Sequence, residues 1–348
     1  KMANGNRWKL SSLTPPAWRP QNKPRNQRPT APPEVPLASL LMEIFAQQLV
    51  NGLVLGSIYA LVALGYTMVY GILGLINFAH GDLTMIGALV SITAVQLLAA
   101  AGLPAPVVLI LAGGIAIIVC VILGVSIERV AYRPLRRAPR LAPLITAIGI
   151  SILLQYSSAL IWGKQYIAMP EIIEPTRITI AGAQLTDLQA AIFLLACLIM
   201  AGLLWFIKAS RMGRAMRATE QNPDVAGLMG VNTNTVIAFT FVLGSAIGAI
   251  AGLMVVLYYG LGHYFMGFML GLKAFTAAVL GGIGNVAGAV LGGLLLGVIE
   301  SLASGYIGDL TGGVLGSNYR DIFAFLVLVL VLVLKPSGLM GQHSGDRA

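Results

Sequence analysis

Leu64-Gly-Tyr-Thr-Met-Val-Tyr-Gly-Ile-Leu-Gly-Leu-Ile-Asn77-Phe-Ala-His80-Gly-Asp82-Leu-Thr-Met-Ile-Gly-Ala88 places three polar side chains between two apolar runs. Polar and ionisable groups at membrane depth are costly, so they line a cavity or partner one another. Asn77, His80 and Asp82 therefore read as part of a broken helix along a solute path, with freed backbone groups beside them. A second reading stays open: Asp82 caps a helix over 83–100, and His80 lies at headgroup level in a loop. Catalysis is not indicated, since no third group is placed to orient the His80–Asp82 pair. Both readings require flanking helices in lipid, and the composition supplies them. Of 348 residues 57% are hydrophobic and 10% charged, against about 25% charged in a soluble domain.

Working outward, apolar segments occur at 46–63, 65–79, 82–100, 104–127, 141–162, 187–207, 235–257, 266–283, 286–303 and 321–335. The expected fold is all-α: a polytopic helical membrane protein with about ten segments (eight to ten), some short and Gly-broken. The segments at 65–79, 266–283 and 286–303 are the short, glycine-interrupted ones. Cys120 and Cys197 lie in apolar runs and read as small buried hydrophobes. Residues 1–40 form a separate basic, proline-rich arm that cannot build a core and is expected to be disordered against anionic lipid. It holds seven Lys/Arg and has no apolar signal-peptide core. Residues 41–341 form the transmembrane domain.

Basic charge beside membrane spans is a topology signal. Loop 128–140 carries five arginines, and loop 208–230 carries Lys208, Arg211, Arg214 and Arg217. Both are expected in the cytoplasm, with connector 163–186 outside. Counting four spans back from residue 128 puts the N-terminal arm in the cytoplasm too, whereas an odd count would move it outside. No basic–aromatic interleaving suggests nucleic acid.

Within loop 208–230, Asn222-Pro223 reads as an N-cap followed by proline at the first helical position, and Gly230 as a stop. That describes a short helix over 223–229, with Glu220 and Asp224 beside its start. Arg214 and Arg217 share a face upstream. Such a helix on the cytoplasmic side is something a motor subunit could grip; a loop facing lipid headgroups is the alternative. Gly282-Ile-Gly-Asn285-Val-Ala287 fits a relaxed dinucleotide pattern but lies between apolar helices, where no strand–turn–helix unit can form. Gly288, Gly292 and Gly293 instead suit close helix packing, and Lys273 reads as snorkelling to an interface. The same stretch echoes Gly74-Leu-Ile-Asn77-Phe-Ala79, a hint of an internal repeat. No P-loop, HExxH, paired CxxC or nucleophile elbow occurs, so neither cofactor nor metal is expected on this chain. Spans carry few acids, with Glu300 and Asp321 read as helix-end residues, so an ion-coupled carrier is the weaker alternative.

Five motifs together resemble the permeases of branched-chain amino-acid ABC importers, of the LivH type, over about residues 46–341. These are Asn51-Gly-Leu with Gly56-Ser-Ile-Tyr-Ala-Leu; Gly74-Leu-Ile-Asn-Phe-Ala-His-Gly-Asp82; Glu128-Arg-Val-Ala-Tyr-Arg-Pro-Leu-Arg136; Leu144-Ile-Thr-Ala-Ile-Gly149-Ile-Ser; and Lys273-Ala-Phe-Thr-Ala-Ala-Val-Leu-Gly-Gly-Ile-Gly-Asn285. The resemblance implies an inner-membrane permease importing leucine-like amino acids by alternating access. Relatives that import urea or short amides are the alternative substrate class. It further implies a homologous second permease (LivM-like), a periplasmic binding protein, and two cytoplasmic ATPases that hold ATP and magnesium. Residues 211–230 would dock on an ATPase, and Asn77 and Asn285 would flank the path. Ala226 and Gly230 stand four apart as in the docking loops of other ABC importers, but no Glu-Ala-Ala precedes them. The long N-terminal arm is not a feature the family leads one to expect.

Overall fold

The computed structural model describes residues 37–341 except 137, 140, 174, 181, 315, 317 and 318. The arm read over 1–40 lies, up to residue 36, outside the described residues. The first helices are α1 (Leu37–Leu73), α2 (His80–Ala99) and α3 (Ala105–Ile127). A π-helical turn, Glu128–Tyr132, runs from α3 into α4 (Arg133–Leu135). Next come α5 (Leu141–Trp162), strands β1 (Ile167–Ala168), β2 (Arg177–Ile180) and β3 (Ala183–Thr186), and α6 (Asp187–Ala209). Two short helices, α7 (Arg211–Gln221) and α8 (Pro223–Leu228), precede α9 (Thr233–Tyr259) and β4 (Leu261–Gly262). The chain ends with α10 (Met266–Gly281), α11 (Val286–Leu310) and α12 (Arg320–Leu334). Seven of these helices are long and apolar enough to cross a membrane, and α10 is a shorter apolar helix. The helical membrane class stands.

Two apolar segments, 46–63 and 65–79, merge into α1. Glycine alone does not break an apolar helix when neighbours use its bare backbone. Gly65 is such a case: a Cβ there would stand 2.0 Å from the His80 ring. The chain first leaves the helix at Gly74, whose φ of 64° is left-handed. At 1.5 Å per residue α1 is about 55 Å long, well beyond a hydrocarbon core of about 30 Å.

The two ends of the bundle are marked by polar ties. Arg136 donates to Asn234 at 2.6 Å, so the two arginine-bearing loops share one end. At the other end Gln47 of α1 exchanges hydrogen bonds with the backbone of Gln184, at 2.9 and 2.7 Å. There β1 also pairs with β4. The merger of the first two segments changes the topology. The Gln47 end of the α1 span lies with connector 163–186, opposite the basic loops, which corrects the four-span count and its cytoplasmic entry in favour of the odd count.

Helix packing runs through bare backbone. A Cβ on Gly293 would sit 2.4 Å from the Ala60 Cα, and one on Gly297 would sit 2.3 Å from the Gly56 Cα, so α1 and α11 touch main chain to main chain. Gly292 faces the Ala277 carbonyl and Gly288 that of Gly281, bringing α10 equally close to α11. In lipid no hydrophobic effect drives helices together, and small residues gain van der Waals contact instead. Gly293→Val should therefore lower the melting temperature in detergent, by overpacking worth about 1–3 kcal/mol. Gly114→Ala, where nothing lies within 4 Å of an added Cβ, should not. Equal melting of the two variants would count against this packing account.

Candidate functional site

The segment 74–79 turns back into the bundle, and α2 starts within it. His80 is fully buried beneath Gly65, with its ring edge-on to Tyr66 at 5.0 Å. Asp82 accepts from the Ser151 hydroxyl and from Gln155 Nε2 at 3.0 Å. Ser151 stands nearly three turns into α5, about 15 Å from the basic-loop end. The headgroup placement of His80 and the capping role of Asp82 are thereby corrected. The helix begins at His80, and Asp82 bonds across to α5 because a carboxylate at that depth needs donors from protein. Asn77 lies nearer the basic end. Its Oδ1 accepts from the Tyr132 hydroxyl at 2.9 Å and from Ala79 N–H at 3.2 Å. Tyr132 lies one turn beyond the buried Glu128, which is ion-paired with Arg136. The motif Glu128 to Arg136 thus clasps the basic-loop ends of α3 and α9 to the re-entrant turn.

Asn285 is not beside Asn77's partners. It caps α11 through Gly288 N–H at 3.0 Å and donates to the Met340 carbonyl at 2.8 Å, tying the C-terminal segment over the α10–α11 turn. The echo between 74–79 and 282–287 survives in form. Each is a turn opened by a left-handed glycine, Gly74 or Gly282, but the asparagines differ: Asn285 caps α11, whereas Asn77 accepts from Ala79 N–H within the turn, and no side chain caps α2.

Lys273 does not snorkel. It is 5% exposed and bonds Glu300 at 2.7 Å and Asp321 at 2.6 Å. Glu300, 1% exposed, lies within α11 rather than at its end and also accepts from the Tyr59 hydroxyl at 3.0 Å. Arg320 approaches Glu300 at 3.5 Å and lies over the Tyr259 ring. Lone-charge reasoning missed this cluster because its members are 27 and 48 residues apart in sequence. The buried acids Asp82, Glu128 and Glu300 are each answered by protein groups.

The basic loop folds as its caps foretell. Asn222 accepts from the N–H groups of Asp224 and Val225, both at 3.0 Å, with Pro223 opening α8. Gly230 closes the turn with φ 87°. Arg214 and Arg217 reach back to the carbonyls of Ala209 and Ile207, holding the α6–α7 corner at the negative end of α6. Arg211 is exposed. The Glu220 carboxylate reaches across to α1 and to the α10–α11 turn: a Cβ on Gly71 would be 3.0 Å from it, and one on Gly284 4.0 Å. Burial lifts the Glu220 carboxyl above the ordinary carboxylate range, and Arg217 pulls the other way. Sequence reading singled out the charges and passed over the apolar side chains of this loop. Leu228 is 87% exposed and Met229 80%, with Val225 beside them.

The family model described as "Branched-chain amino acid transport system / permease component" matches residues 48–332. The high-affinity branched-chain amino acid transport system permease protein LivH of Salmonella typhimurium is 47% identical over 308 residues, 87% of this chain and 97% of the relative. LivH of Escherichia coli K12 is 46% identical with the same coverage. BraD of Pseudomonas aeruginosa is 46% identical over 87% of this chain and 98% of its own length.

Removing one partner of the buried ion pair leaves an uncompensated charge, at a cost of about 3–5 kcal/mol. Lys273→Met should therefore lower the melting temperature in detergent strongly. Lys273→Met with Glu300→Met should recover most of the loss. A double variant no more stable than the single one would show that the pair does not govern this region.

Proposed function

The chain belongs to the branched-chain amino-acid transport permease family, and on that premise we propose that it is one permease subunit of an inner-membrane ABC importer for leucine-like amino acids. Its partners are a homologous second permease, a periplasmic binding protein, and two cytoplasmic ATPases that carry ATP and magnesium. The chain itself hydrolyses nothing; its task is alternating access. Connector 163–186 and the Gln47 end of α1 then face the periplasm, and the basic loops face the cytoplasm.

The exposed apolar cap of α8 carries this reading. Soluble-side loops rarely expose two large hydrophobes at the tip of one helical turn, and such patches mark protein interaction sites. An ATPase groove closing over Leu228 and Met229 would move α7–α8 as a unit, since Asn222, Ser210 and the two arginines fix both corners. Glu220 hands that movement to Gly71 and Gly284, the inner ends of the helices flanking the path. The alternative of a headgroup-facing loop gives no reason for this contact.

Buried apolar anchors at an interface contribute about 2 kcal/mol or more each, so Leu228→Glu should cut ATP-driven leucine uptake by at least about tenfold. Membrane insertion and yield should hold, because the side chain touches little of the chain itself. Uptake at the wild-type rate would remove α8 from the coupling route.

A further inference from the structure

A cavity of about 190 Å³ lies between α1, α5 and α10, lined by Tyr66, Phe78, Ile148, Ser151, Phe268 and Leu272. Five of these are aromatic or aliphatic. Besides the Tyr66 phenol, its polar residue is Ser151, whose proton is committed to Asp82 and whose oxygen also receives Gln155 Nε2 at 3.1 Å. A hydroxyl so committed keeps one lone pair free, with a buried carboxylate behind it. The group complementary to that point is an ammonium. The group complementary to the rest is an aliphatic body. Size agrees: an apolar cavity of about 150 Å³ accepts benzene, so a four-carbon branch fits here. Ile148 and Phe268 are half-exposed and form an open side.

We propose that this cavity is a transit site for aliphatic amino acids. The branched side chain packs among Tyr66, Phe268 and Leu272, the ammonium bonds Ser151 with Asp82 behind it, and the carboxylate faces the open side. The inference rests on the import reading above and gives it a place in the chain. Its walls are the elements that the coupling loop touches: Tyr66 lies on α1 above Gly71, and Leu272 on α10 above Gly284. Bare backbone keeps the site tight, since a Cβ on Gly267 would stand 2.8 Å from Asp82 Oδ1 and one on Gly271 2.9 Å from the Tyr66 hydroxyl. A shift of Glu220 would therefore reshape the cavity.

The test uses the complete importer in proteoliposomes, with leucine and valine delivered by the same binding protein. One methylene in an apolar pocket discriminates by about 10–200-fold. Leu272→Phe should lower leucine uptake about tenfold more than valine uptake, and Leu272→Ala should move the leucine-to-valine ratio the opposite way. If the first variant fails to assemble on gel filtration, the second carries the reading alone. A ratio unmoved in an assembled variant would overturn the proposal, and would mark the cavity as a packing defect or a seat for a lipid chain. Wild-type importer that takes up no leucine with ATP would instead remove the import reading itself.

Discussion

A charge in hydrocarbon must be answered by another group of the same chain, and the arrangement of this bundle obeys that constraint. Lys273 on α10 meets Glu300 on α11, Asp321 on α12 and the Tyr59 hydroxyl on α1, so four helices are tied at one point. Asp82 ties α2 to α5 through Ser151 and Gln155. Glu128, Arg136, Tyr132, Asn77 and Asn234 tie the basic end. Each tie joins helices that lipid would otherwise leave free to slide.

Between the ties, contact is made by backbone. Gly56, Gly293 and Gly297 let α1 and α11 touch directly, and Gly288 and Gly292 do the same for α10 and α11. Such contacts have no side-chain freedom to absorb displacement, so α1, α10 and α11 behave as one block. In the proposed coupling, a push delivered by Glu220 at Gly71 and Gly284 would be felt along the block, up to the Tyr66 and Leu272 walls. Stiffness in the bundle and movement at its base are two sides of the same packing.

Much of this was legible in the residues. Asn222-Pro223 with Gly230 located α8 to within a residue, because caps are local chemistry. The arginines placed both loops on one side, because charge beside a span is a local property as well. The glycines of 288–293 were recognised as packing positions. What escaped was non-local. Whether Gly65 breaks a helix depends on His80 lying against it, and Lys273 looked alone because Glu300 and Asp321 come from other helices. The four-span count fails as a consequence of the first of these, and the odd count holds. The Val225–Met229 cap escaped for a different reason: in a sequence this apolar, three more hydrophobes carry no signal until their exposure is seen.

The most direct measurement is leucine uptake into proteoliposomes holding either this chain with its permease partner alone, or the same pair with both ATPases and the binding protein. The account expects uptake only in the second preparation, and only with ATP on the face reached by the basic loops. Accumulation driven by an ion gradient across the first preparation would contradict it.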